Sequence, residues 1–144
     1  MLLLLVLIAF ECWFIPYLGV IPTRFKTFTG EILKQFSDEH KKAFGTTKVP
    51  RGGFPDCGEG RYSEKLPFKQ WFTFNCAQRG HLNFVEHLPI ALTLFLITGL
   101  TFPRWTAVLS VFYMIGRIIY ARGYLKGPSG RRLGAHIADY ILLI

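Results

Sequence analysis

The sequence predicts an all-α fold: a transmembrane four-helix bundle whose fourth helix is short or truncated. Three observations predict it. Of 144 residues, 51% are hydrophobic and 16% aromatic while only 18% are charged, below the roughly 25% of an ordinary globular domain, and the mean hydropathy is +0.30. The apolar residues gather into long blocks separated by charged connections, as helices crossing a hydrocarbon layer of about 30 Å require. The formal net charge is +8, and most of the basic residues crowd the connections rather than the blocks. Such a chain is not disordered, and at this length it makes one membrane domain over residues 1–144.

The first block, 1–22, is broken only by Glu11. Its 22 residues would rise about 33 Å as a helix, enough to cross. A cleavable signal peptide would need a basic start and small residues at the cleavage site. Here the start is apolar, and bulky Trp13, Phe14, Ile15 and Pro16 stand where small residues belong. The block is read as a retained helix. Residues 23–70 hold ten Lys/Arg and six Asp/Glu, with Gly and Pro concentrated from Gly45 to Pro67. Within them Ile32, Leu33, Phe36, Ala43 and Phe44 share a helical face opposite Lys34, Asp38, Lys41 and Lys42. That is either a short surface helix lying on the membrane or a solvated loop helix, ended by Gly45.

The second block, 72–102, is bracketed by Trp71 and Trp105, as interfacial aromatics would be. It begins polar (Asn75, Gln78, Arg79, His81, Asn83, Glu86) and is clean from Leu88 to Leu100, so its first half should project beyond the lipid. Pro89 should bend it, by removing one hydrogen bond and crowding the Val85 carbonyl. After the turn at Thr101–Arg104, a third block covers 105–124, with Arg117 its only charge before Arg122. The last segment, 131–144, would rise only about 21 Å. Either the fourth helix stops inside the membrane or the natural C-terminus lies further on.

Topology follows from the flanking charges. The connection 23–70 is net positive, and Arg122, Lys126, Arg131 and Arg132 lie between the third and fourth blocks with no acid among them. Four helices put both connections on one side, which the positive-inside rule makes cytoplasmic or matrix-like. Arg24 and Lys26 read first as such topology markers. Nucleic-acid binding would use the same charge, but these residues lie beside spans, where topology already explains them; no nucleic-acid partner is expected. Cys12, Cys57 and Cys76 lack CxxC spacing and are read as buried or inert thiols. His40, His81, His87 and His136 form no ligand set, so no metal is expected. The glycine-bearing stretches 52–60 and 127–132 lack the Lys-Ser/Thr of a phosphate loop and read as turns.

Charged residues inside spans are costly, so each raises a functional hypothesis. Arg79, Asn83 and Glu86 are spaced i, i+4, i+7 and share a helical face; Arg117, Tyr120 and Tyr124, spaced i, i+3, i+7, share another. The second helix leaves the basic side and the third returns to it, so all six, with Arg131, should lie toward one end of the bundle. Three guanidiniums, one carboxylate, one amide and two phenols suit a small polyanion carrying an ammonium group, with arginine forks on its carboxylates and Glu86 on its amine. The structural alternative is a helix-gluing salt bridge, Arg79 or Arg117 with Glu86. One carboxylate, however, cannot balance three guanidiniums.

The stretch Phe74-Asn-Cys-Ala-Gln-Arg-Gly-His-Leu-Asn-Phe-Val-Glu86 resembles the second-helix signature of the MAPEG family of membrane-associated eicosanoid and glutathione enzymes, in particular the type-3 microsomal glutathione transferases. Gly116-Arg-Ile-Ile-Tyr-Ala-Arg-Gly-Tyr124 and the following Gly-Pro-Ser-Gly-Arg131 resemble that family's third helix and turn. The motifs cover roughly residues 70–135. The resemblance implies a MAPEG-like bundle and a glutathione co-substrate site. Arg79 and Asn83 would hold a carboxylate end, Glu86 the γ-glutamyl ammonium, and Arg117, Tyr120 and Tyr124 the remainder. Arg131 would be the catalytic residue, stabilising the thiolate. Arg24 and Lys26 could help to hold glutathione. His87 stands where some relatives have tyrosine, and the connection 23–70 is longer than in the leukotriene-conjugating members.

The resemblance further implies a homotrimer acting on a lipophilic electrophile or lipid hydroperoxide delivered from the bilayer. The expected activity is that of a glutathione transferase or peroxidase, in the endoplasmic reticulum ahead of a mitochondrial membrane. The alternatives are a non-catalytic accessory subunit of a larger membrane complex and a scaffold presenting lipid to another enzyme.

Overall fold

A computed structural model describes residues 2–144. All regular structure among these residues is helical: α1 (Leu2–Leu18), α2 (Val20–Thr27), α3 (Gly30–Lys34), α4 (Ser37–Phe44), α5 (Phe68–Thr101), α6 (Pro103–Leu125) and α7 (Arg132–Leu143). Short 3-10 turns cover Arg51–Gly53, Ser63–Lys65 and Pro128–Arg131. Leu2–Thr27 and Phe68–Thr101 are long and apolar enough to cross a membrane. At 34 residues α5 rises about 51 Å, well beyond a hydrocarbon core of about 30 Å, and it runs unbroken through Pro89. It starts at Phe68, directly after Pro67, so its polar first turns extend out of the apolar block. α6 has 23 residues and opens on Pro103, where a missing N–H costs nothing because that group has no intrahelical partner. α7 has only 12 residues, about 18 Å of rise.

α1, α5, α6 and α7 form the bundle. Ile8, Cys12 and Ile15 of α1, Phe84, Ala91 and Phe95 of α5, Tyr113 of α6 and Ala138 of α7 make one buried cluster. Tyr113 meets Phe84 and Phe95 edge-on, with centroids 6.1 and 5.5 Å apart. Many outward side chains are large and apolar, including Val6, Trp13, Ile97, Leu100 and Phe112, as a lipid-facing surface requires. Both basic connections lie at one end of the bundle. Gly19, where α1 gives way to α2, packs on Leu125 at the end of α6, and Gly80 packs on Tyr124.

The connection folds into a cap rather than one amphipathic helix. The face holding Ile32, Leu33 and Phe36 is buried, but Ala43 and Phe44 are exposed. The helix breaks at Gln35–Phe36, so α4 turns its own face elsewhere and ends at Gly45, in the left-handed conformation at φ 71°. Arg24 is not a solvated topology marker. It is 4% exposed, donates to the Gly52 carbonyl at 3.1 Å, and lies under the rings of Phe28, Phe54 and Phe74. It fastens the cap to the bundle. Cys12 and Cys76 are buried, whereas Cys57 is exposed on the cap.

Asp56 is the cap's internal knot. Its Oδ1 accepts from the Gly58 and Gly60 N–H groups and the Ser63 hydroxyl, and its Oδ2 from the Ser63 N–H, at 2.7–3.1 Å. The loop so shaped is pinned to α5: Trp71 Nε1 and Asn75 Nδ2 donate to the Gly58 carbonyl, and Gln78 Nε2 to that of Cys57.

Burial alone would raise the Asp56 pKa, but the Ser63 hydroxyl and the N–H groups of Gly58, Ser63 and Gly60 outweigh it and hold the carboxyl below its ordinary value. A depressed folded pKa contributes stability above the unfolded value, about 3.9, which is lost as pH falls through the folded value. Asp56→Ala should therefore accelerate amide exchange at Gly58, Gly60 and Ser63 at neutral pH, through a local loss of about 1–3 kcal/mol. Exchange measured down a pH series should show the wild-type cap loosening in acid, while the variant's cap shows no such step.

Candidate functional site

The site is built where α7 touches α6. A Cβ placed on Gly134 would lie 2.2 Å from the Tyr120 backbone nitrogen, and one on Gly123 would lie 2.2 Å from the Gly130 carbonyl oxygen. These glycines let the two backbones meet directly. The Gly127–Arg131 turn, starting from Gly127 at φ 128°, therefore folds back on α6 and delivers Arg131 beside it. Arg131 Nη1 donates to the Tyr120 hydroxyl at 3.3 Å, and its guanidinium lies 5.3 Å from the centre of the Tyr124 ring.

A cleft of about 220 Å³ opens there, lined by Asn83 and His87 of α5, Tyr120 of α6, Arg131, and Arg132, His136 and Asp139 of α7. His87 Nδ1 and Asp139 Oδ1 are 3.8 Å apart across it. Behind the lining, Arg117 is 1% exposed. Its Nη2 donates to Asn83 Oδ1 at 3.0 Å, and its guanidinium lies 4.6 and 4.8 Å from the Phe84 and Tyr120 ring centres. Arg117 thus fixes the amide orientation of Asn83, turning its N–H₂ donors away from the guanidinium.

Of the seven residues expected from sequence, Asn83, Tyr120 and Arg131 line the cleft. Arg117 and Tyr124 support it, against Asn83 and Arg131 respectively. Arg79 and Glu86 form a mutual salt bridge at 3.3 Å with half-exposed side chains and are not among the residues lining the cleft. One of the two helix-gluing pairings considered from sequence is thus present, within a single helix rather than between two. Arg132 was read only as a topology charge, His136 only as no metal ligand and Asp139 not at all, although their spacing, i, i+4, i+7, marks one face of α7. Glu11, 8% exposed, was visible as the only break in the first apolar block, but nothing in its spacing linked it to the site. Among the described residues, no group of three or more His, Cys, Asp or Glu is placed to hold a metal ion.

Chemically, the cleft offers two guanidiniums, two imidazoles, a phenol and an amide against one carboxylate. A guanidinium is charged at any working pH and binds carboxylates through paired donors. The arrangement suits a small anionic ligand.

Because α7 rests on backbone at Gly134, Gly134→Ala has nothing flexible to displace. Overpacking of about 1–3 kcal/mol is expected, read as a lower thermal midpoint in detergent together with weaker ligand binding at Arg131. Gly30→Ala, where a Cβ meets nothing within 4 Å, should leave both unchanged.

A family model, that of the MAPEG family, matches residues 2–144. No solved structure matches the chain.

Proposed function

The chain belongs to the MAPEG family, and on that premise we propose that it is a membrane-bound glutathione transferase or peroxidase of the type-3 microsomal kind. The observation that carries this reading is the cleft in which Arg131 and Asn83 meet around Tyr120. Glutathione presents two carboxylates, an ammonium and a thiol, and the cationic excess of the cleft suits its net charge. Asn83 and the supporting Arg117 serve one carboxylate end. Glu86 serves the ammonium, and Arg79 beside it a carboxylate.

Arg131 supplies the catalytic effect. A thiol of pKa about 8.5 is mostly protonated at neutral pH, and an adjacent guanidinium favours the anion. The thiolate sulfur then attacks an electrophilic carbon, forming a C–S bond as a leaving group departs. With a lipid hydroperoxide, the sulfur takes the distal oxygen as the O–O bond breaks, yielding an alcohol. A second glutathione then converts the resulting sulfenic acid to glutathione disulfide and water. Tyr120, as the hydrogen-bond acceptor of Arg131, keeps the guanidinium at the cleft.

Two features support a homotrimer with the ligand between subunits. The cleft is smaller than the roughly 300–1,000 Å³ of a complete small-molecule pocket. The Arg79–Glu86 pair is half-exposed on α5, so its charges are open to a ligand or a neighbouring subunit. The basic cap and the turn before α7 lie on the cytoplasmic or matrix-like side, and the endoplasmic reticulum is favoured over a mitochondrial membrane.

The test is glutathione-dependent conjugation of an aryl halide by the purified protein, with Arg131→Ala alongside. Loss of one preorganised charge at the reacting atom should lower kcat about 100-fold and abolish the ultraviolet absorbance of bound thiolate. Wild type with neither binding nor turnover would overturn the enzyme reading in favour of an accessory subunit. A variant equal to wild type would remove only the role of Arg131.

A further inference from the structure

The cap holds a cavity that the chemistry above does not use. It lies beside α2 and measures about 530 Å³, within the roughly 300–1,000 Å³ of a small-molecule site. Lys34 of α3 and Arg51 line it together with Thr29, Ser37, Thr47 and Phe25, and no acid is among the lining residues.

Both cations escape the pairing that neutralises their neighbours. Arg61 and Lys65 share Glu39, and Arg24 is closed inside the cap. Among the described residues no Asp or Glu lies within 4.0 Å of Lys34 or Arg51. Arg51 is nonetheless held in place. Its guanidinium lies 5.3 Å from the centre of the Phe25 ring, a contact that leaves its hydrogen-bonding capacity for oxygen acceptors. The turn that carries it is pressed on the same ring: a Cβ on Gly52, at φ 74°, would lie 2.9 Å from Phe25. A planar guanidinium matches two oxygens of a phosphate, and Lys34 adds a point charge.

Depth decides which phosphate. The first apolar block ends at Pro22, after about 33 Å of helix, enough to fill the hydrocarbon core. Phe25 follows about 4.5 Å further on, at the level of the lipid headgroups. Its ring is 44% exposed, an apolar surface at a depth where headgroups meet acyl chains. The leaflet on the basic side is the one that carries anionic lipid.

We propose that this cavity binds the phosphate of an anionic phospholipid, with Arg51 and Lys34 on its oxygens and the glycerol end toward Phe25. Bound lipid joins α2, α3 and the stretch 47–51, and so ties the aqueous cap to the bilayer surface. The site is separate from the Arg131 cleft and stands whether or not the protein uses glutathione.

The test titrates the purified protein, in a neutral detergent, with dihexanoyl phosphatidic acid, a soluble short-chain lipid, and reads binding by calorimetry. Dihexanoyl phosphatidylcholine, which has a phosphate but no net charge, should bind at least about tenfold more weakly. Replacing both cations, Lys34→Ala with Arg51→Ala, should weaken phosphatidic acid about thirtyfold. Lys41→Ala with Lys42→Ala removes the same charge from α4, outside the cavity, and should stay within about twofold of wild type. Equal losses in the two pairs, or a wild type that binds both lipids alike, would overturn the site. Inorganic phosphate is the third arm. If it binds as tightly as phosphatidic acid and displaces it, the occupant is free phosphate and the lipid assignment falls. Should the Lys34/Arg51 pair variant fail to fold, Thr47→Asp keeps both cations and adds a charge of the wrong sign. Binding about tenfold weaker in that variant supports the site, and unchanged binding overturns it.

Discussion

The bundle depends on backbone contact between α6 and α7. In lipid no hydrophobic force favours one helix against another over helix against acyl chains, so association rests on how closely surfaces fit. Gly123 and Gly130 meet at the turn, and Gly134 sits on the Tyr120 backbone one step further along. Gly116 lies against Ala138 two turns deeper. A 12-residue helix cannot bury much apolar area of its own, and direct contact compensates by bringing every packed atom to full dispersion distance. The placement of Arg131, and of the polar face of α7 opposite Asn83 and His87, follows from that seating.

Charge within the bundle is divided by depth. Arg117 lies in the interior against two aromatic rings and an amide oxygen. Arg131 sits at the surface of the cleft, tied only to one phenol and over one ring. The inner cation is enclosed by the protein and organises it; the outer one remains available to a ligand. A single guanidinium could not do both, because the contacts that rigidify it consume the donors a ligand would use.

Much of this was legible in the sequence, for reasons that differ by element. A bilayer imposes length and apolarity, so 72–102 and 105–124 stood out, and α5 exceeds its block only at Phe68–Trp71, where the helix leaves the lipid and hydropathy no longer constrains it. Helical spacing brought Arg117 to Asn83 because i, i+4 positions on adjacent antiparallel helices have few places to go. The same spacing placed Arg79 and Glu86 on the face of Asn83, and the two also pair with each other across two turns. The face of α7 was hidden by brevity: its three polar positions, two of them read for topology and metal binding, fall in a segment of only 12 helical residues. The cap was least legible of all. Asp56 gathers three backbone donors and a hydroxyl through irregular loop geometry, and no periodicity encodes such a knot. Cation–π enclosure of Arg24 likewise joins rings from three separated stretches of chain.

That cap also bears on the order in which the protein is made. Cys57 and Gly58 precede α5 in the chain, yet their carbonyls receive donors from Trp71, Asn75 and Gln78 on α5, and Arg24 closes on Phe74. During synthesis the connection therefore emerges before the surface that shapes it. It must wait as an open chain on the basic side until the next helix has entered the bilayer, so insertion of α5 is the event that completes folding outside the membrane. A lesion in the first turns of that helix would consequently be felt in the aqueous cap as much as in the bundle.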